Sequence, residues 1–142
     1  MCDTFGEGCS PLVPKETEVV FVAWKFEAGI PLTLQISDRI RKGIICGEYP
    51  PGVDFPTVRQ IATEASVNPN TVQKALVILE EEGLIVTMGT AGRTVTADTE
   101  IISQARERVS ISFITGVIRE ARLLGISEDE LYNMIRRKWE NE

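Results

Sequence analysis

Two short amphipathic stretches separated by almost nothing constrain this chain more than any other feature. Val58, Ile61, Ala62 and Ala65 recur at i, i+3, i+4 and i+7, the spacing of a helix with one apolar face. That helix is expected to begin at Thr57 and to last about two turns. Ser66-Val67 leaves room only for a tight break. Asn68 is a good N-cap, and Pro69 falls at the first helical position, where a missing N–H costs nothing. The next helix is expected to reach about Glu82, with Val72, Ala75, Leu76 and Leu79 facing in and Gly83 ending it. Leu84-Ile85-Val86-Thr87 and Arg93-Thr94-Val95-Thr96 then read as two short strands around a flexible tip, Met88 to Gly92. A two-helix unit with a tight break, followed by a hairpin, spells a helix-turn-helix with a wing. Val53-Asp54-Phe55 is expected to add a third strand along the hairpin.

A helix precedes this unit. It starts after Pro31, carries Ile36, Ile40 and Ile44 on one stripe, and ends at Gly47, before Tyr49-Pro50-Pro51-Gly52 forces a turn. Residues 98–142 are helical again. One stripe of the fourth helix is Ala105, Val109, Phe113, Val117, Ala121 and Leu124, and a second is Ile111, Ile114 and Ile118. A helix apolar on two sides must be covered on two sides, and this tail is too small to supply both covers. A partner chain is therefore expected, with Val109, Phe113, Val117 and Ala121 at the dimer interface. Gly125 ends that helix. Ser127, with Glu130 three residues on, reads as a capping box opening a fifth, whose apolar face is Leu131, Met134, Ile135 and Trp139. The expected architecture is mainly α with a small β-hairpin wing. Residues 23–97 form a winged helix-turn-helix and 98–142 a two-helix dimerisation region. Residues 1–22, aperiodic and rich in turn formers, form a poorly ordered extension.

Composition removes whole classes of function. The chain has no histidine, so histidine triads, histidine bases and most zinc sites are gone. No nucleophile with a base stands out, and no cofactor is called for. Three cysteines, Cys2, Cys9 and Cys46, make no disulfide framework, and Cys2 and Cys9 lack neighbouring metal ligands. Cys46 reads as a small buried hydrophobe. The apolar run Val19 to Trp24 is far too short to span a membrane and lacks the features of a secretory signal. A reducing, cytoplasmic location is expected. The net charge is −6, so any binding to nucleic acid must be local. Most of the excess acid lies outside residues 32–97, which hold six cations against seven anions.

The polar side chains of the third helix supply the local case. Asn70, Gln73, Lys74 and Val77 lie opposite its core stripe, and Thr71 flanks them. The second helix of a helix-turn-helix lies in the major groove and reads base edges with its first turns. Asn and Gln suit adenine, Thr a thymine methyl or a phosphate, and Lys guanine or a phosphate. Glu80, Glu81 and Glu82 sit at the far end, away from a duplex. Arg59, in the first turn of the second helix, is a candidate phosphate clamp whose bland alternative is a pair with Glu64 or Asp54. Arg93, at the wing's edge, is a candidate for a narrow minor groove, with a solvated arginine as the alternative. Arg136-Arg137-Lys138 is better explained by the dipole of the last helix. A winged helix that binds protein instead of DNA is the alternative function, but it would need exposed apolar residues where Asn70, Gln73 and Lys74 stand.

Tyr49 to Gly52, Phe55 to Ala62, Val67 to Leu76 and Leu79 to Ile85, with unbroken spacing, resemble the GntR family of bacterial transcription regulators. Val67-Asn68-Pro69-Asn70-Thr71-Val72 and a tail of two helices resemble its short YtrA-like branch. The resemblance implies a homodimer that binds an inverted repeat in double-stranded DNA, as a repressor often of a neighbouring ABC-transporter operon. It implies no fused metabolite-binding or aminotransferase-like domain, and it names no small-molecule effector. It places Arg59, Asn68, Asn70, Thr71, Gln73 and Gly92 at the family's DNA-contact positions. Pro69 and Gln73 stand where many relatives carry arginine, and Asp54 where a basic residue is usual. Met88, Gly89 and Ala91 replace wing residues that are often basic. Ser66 fills a turn position usually given to glycine, at a cost on the order of 1 kcal/mol if its φ is positive. Relatives often start near Val22-Ala23-Trp24, so residues 1–22 are expected to be dispensable or to reflect a mis-assigned start.

Overall fold

Ile36, Ile40 and Ile44 share one face of α1 (Leu32–Cys46), and that face is buried. The computed structural model describes residues 24–142; the expected extension over residues 1–22, with Cys2 and Cys9, lies outside them. Among the described residues are five α-helices and a two-stranded antiparallel sheet. The chain divides into two units, Met1–Arg106 and Glu107–Glu142.

In the first unit, α1 is followed by α2 (Val58–Ala65), α3 (Pro69–Glu81), β1 (Ile85–Thr87) and β2 (Arg93–Val95). The α1 stripe meets Ile61 and Ala62 of α2 and Val72, Ala75, Leu76 and Leu79 of α3. Leu84, Ile85 and Val95 close this core from the hairpin, and Ile102 and Ala105 join it from the start of α4 (Thr99–Leu123). Each large aliphatic side chain buried there contributes about 1.5–3 kcal/mol from removal of apolar surface. Cys46 is only half-buried, at the end of α1, where its thiol donates to the Gly43 carbonyl at 3.5 Å.

The tight break comes out as expected. Thr57 is the N-cap of α2, and Asn68 caps α3 with Pro69 in its first turn. Ser66 closes α2 in the left-handed conformation, at φ 54° and ψ 46°. That strain costs about 1–2 kcal/mol, and the backbone bond from Val67 N to Ala62 O at 3.0 Å helps hold the turn against it. Capping differs from the expectation at Ser127, and Thr57 adds a box that was not expected. A full capping box forms at Thr57, where the hydroxyl accepts from Gln60 N and the Gln60 carboxamide accepts from Thr57 N. At Ser127 only half of one forms: Ser127 Oγ accepts from Glu130 N at 3.3 Å. The Glu130 side chain stays in solvent, among three carboxylates that suit the positive end of α5 (Glu128–Glu140).

The hairpin pairs Ile85 with Val95, Val86 with Thr94 and Thr87 with Arg93. Val53 to Phe55 runs along β2 through Phe55 N to Arg93 O at 2.8 Å and Val95 N to Val53 O at 2.9 Å. It makes one isolated bridge, Asp54 with Thr94, and not the full third strand expected. Pro50 and Pro51 before it and Pro56 after it cannot donate to a ladder, so pairing ends within three residues. The tip is a short 3₁₀ turn, Gly89–Ala91. Gly92 follows at φ 91° and ψ −146°, a conformation essentially restricted to glycine.

The second unit holds the rest of α4 and α5. Ala121 is buried, and Ile126 and Leu131 are partly covered. Between the two helices lies an open apolar groove of about 550 Å³, lined by Phe113, Gly116, Val117, Ala121, Leu124 and Leu131 among others. Phe113 is 70% exposed and Trp139 83%. Ile111, Ile114 and Ile118 of the second stripe are exposed as well.

Candidate nucleic-acid interface

The core stripe of α3 decides what its other face presents. With Val72, Ala75, Leu76 and Leu79 fully buried, Asn70, Gln73, Lys74 and Val77 are left exposed and Thr71 half-buried. Asn68 is committed to the backbone: its side-chain oxygen accepts from Asn70 N at 2.8 Å. That bond settles one of the free N–H groups of the helix start and fixes the direction in which α3 leaves the turn. Arg59 lies exposed in the first turn of α2.

The electrostatics of residues 32–97 are uneven in a useful way. Arg39 pairs bidentately with Glu48 at 2.8 and 3.0 Å, and its guanidinium lies over the aromatic ring of Trp24, 5.5 Å from the ring centroid. Arg41 grips Glu82, the C-cap of α3, at 2.7 and 2.9 Å and also touches Asp38. Lys42 pairs with Asp38 at 2.8 Å. Arg93 pairs with Glu80 at 2.6 Å. Among the described residues no carboxylate meets Arg59 or Lys74, so the expected alternative partners of Arg59, Glu64 and Asp54, are not engaged. The two unneutralised cations of this segment are therefore the two on the exposed sides of α2 and α3.

Arg93 and Glu80 were legible only as separate charges. Glu80 stands seven residues after Gln73, two helical turns along the same face, so it is not remote from that face as its place in the acidic run suggests. Its Oε1 accepts from Arg93 Nε and from Thr87 Oγ1, tying both strands of the wing to α3. Hydrogen bonding to the Arg93 guanidinium, helped by Thr87, holds the Glu80 carboxyl below its ordinary range. Glu82 has a parallel task, and its hydrogen bond to Arg41 raises the arginine's pKa further. Arg93 Nη2 also donates to Gln73 Oε1 at 3.3 Å. The wing arginine thus lies against α3 and not out in solvent.

The fold and this surface have counterparts among known proteins. The family described as "Bacterial regulatory proteins, gntR family" matches residues 32–95. A GntR family transcriptional regulator from Listeria monocytogenes is 30% identical, covering 79% of this chain and 98% of its own, with a TM-score of 0.76. The chain belongs to the GntR family. This GntR-family chain is a transcription regulator with a DNA-binding helix-turn-helix, and its family is not one of enzymes. The HTH-type transcriptional regulator YhcF of Bacillus subtilis is 28% identical over 79% of this chain and 93% of its own length. The HTH-type transcriptional repressor YtrA of the same organism is 28% identical over 75% of this chain and 82% of its own. Among the described residues, no helix is long and apolar enough to cross a membrane.

Proposed function

We propose that this GntR-family chain is a cytoplasmic, dimeric repressor that binds an inverted-repeat operator in double-stranded DNA. Asn70, Thr71, Gln73 and Lys74 read one half-site in the major groove, Arg59 clamps the flanking phosphates, and Gly92 brings the wing backbone close to the duplex. One observation carries the reading: of the six cations in residues 32–97, the two that meet no carboxylate among the described residues are Arg59 and Lys74, beside the polar face of α3. The repressor sense rests on the resemblance to YtrA. So does an ABC-transporter operon as the regulated unit. Exposed Phe113 beside half-buried Val109 and Val117 supports a second copy of the chain as the partner across α4, whereas Ala121 is already buried within one chain.

Thr71→Ala and Arg59→Ala are each expected to weaken operator binding by about 1–3 kcal/mol without changing the oligomeric state. Gel shifts with unchanged affinity for both variants would reject the assignment. The same cation count fixes the salt response. A dimer brings Arg59 and Lys74 from each chain into the duplex's field, and displacing about four counterions makes log K against log salt fall with a slope of about −3.6. A slope near −10 would mean that the internal pairs open and contribute their charges to the complex.

A further inference from the structure

We propose that Arg93 of the wing sets base preference through Gln73, turning its amide so that this position selects guanine over adenine. The inference rests on α3 being the recognition helix. Arg93 Nη2 donates to Gln73 Oε1 at 3.3 Å, while its Nε is anchored on Glu80 at 2.6 Å. Glu80 is itself braced by Thr87 Oγ1 at 2.8 Å. A guanidinium carries donors and no acceptor, so the Gln73 amide can meet it only through its oxygen. The amide's orientation is therefore fixed by chemistry, with the carbonyl toward the wing. Gln73 Nε2 has no partner among the described residues, and the side chain is exposed.

Glutamine reads adenine with both of its polar atoms: Oε1 accepts from N6 and Nε2 donates to N7. With the carbonyl turned toward Arg93 and one of its two lone pairs engaged there, the edge that projects freely toward a base is the NH₂. Guanine offers that edge two acceptors, O6 and N7. Adenine sets its own amino group beside N7, donor against donor. Arg93 is in this sense a positioning residue: it acts on the base through Gln73, and Glu80 holds it in place. The pairing reverses the simple expectation that a glutamine here favours adenine.

Selecting bound duplexes from a random pool with the full chain, Gln73→Ala and Arg93→Met tests this. Gln73→Ala alters an exposed side chain, and the operator position at which it flattens the base preference is the one Gln73 reads. There the native chain is expected to enrich guanine over adenine by about tenfold. Arg93→Met keeps the aliphatic stem and loses every donor, and it is expected to move the preference to adenine at that position alone. A merely structural arginine would lower affinity evenly at all positions. Adenine preferred by the native chain, no position flattened by Gln73→Ala, or guanine retained by Arg93→Met overturns the proposal. Should Arg93→Met fail to fold, the guanine–adenine ratio of the native chain at the Gln73 position decides alone. If the native chain enriches no sequence at all, the recognition-helix reading falls with it.

Discussion

Phe113→Glu is expected to turn the dimer into a monomer and to lower operator affinity by about 10²–10⁴-fold. The side chain is 70% exposed in the single chain, so the substitution leaves the helix itself intact. In the proposed interface the same carboxylate would be buried without a partner, at several kcal/mol, and the phenylalanine contact would be lost from both chains. The loss of affinity follows from the loss of linkage. Two half-sites held by one dimer bind at a high effective concentration, whereas two monomers must each bind alone. Six cations against seven anions in residues 32–97 leave a lone domain little general attraction to DNA, which makes the linkage matter more. Sedimentation at several concentrations reads the dimer, and a gel shift reads the affinity. An intact Phe113→Glu dimer would remove α4 from the interface.

Leu76→Ala is expected to cost about 2–5 kcal/mol of folding stability. Leu76 is fully buried in the middle of α3, in the cluster that joins α1, α2, α3 and the hairpin. The change removes the side chain's transfer energy and leaves a cavity in a core that small elements cannot readily collapse. For a domain of this size that is a large part of the total, since stabilities run at about 0.05–0.15 kcal/mol per residue. Val77→Ala, one residue on and 40% exposed, is the control and is expected to stay within about 1 kcal/mol of the native chain. Urea unfolding of both variants measures the difference. Equal midpoints would mean that α3 does not bury the face assigned to it, and the face offered to DNA would be misassigned too.

Local chemistry made much of the fold legible. The break between α2 and α3 could be placed because Asn68-Pro69 can begin a helix and Ser66 can end one, and both do so. The apolar stripes of α1 and α3 could be placed because a spacing of three and four residues has one structural meaning. What could not be read was set by contacts between distant parts of the chain. Arg41 with Glu82 and Arg93 with Glu80 join positions 41 and 13 residues apart, and no local pattern marks either pair. The curtailed third strand was visible in the prolines around Val53 to Phe55, which weigh against a ladder more than the apolar residues weigh for one. The capping box at Thr57 needed only the observation that Gln60 stands three residues on. At the candidate site, burial follows from the α3 stripe. The unpaired state of Arg59 and Lys74 does not, because it depends on where every carboxylate of the segment ends up.

If the proposed function holds, the exposed face of α3 reads DNA once from each chain of a dimer. Selecting duplexes from random DNA with the native chain tests it most directly. The expected outcome is one enriched motif with two-fold symmetry, its half-sites about one helical turn, or a whole multiple of it, apart. Recovery of a pool with no enriched sequence, or of a single half-site with no symmetric mate, would contradict it.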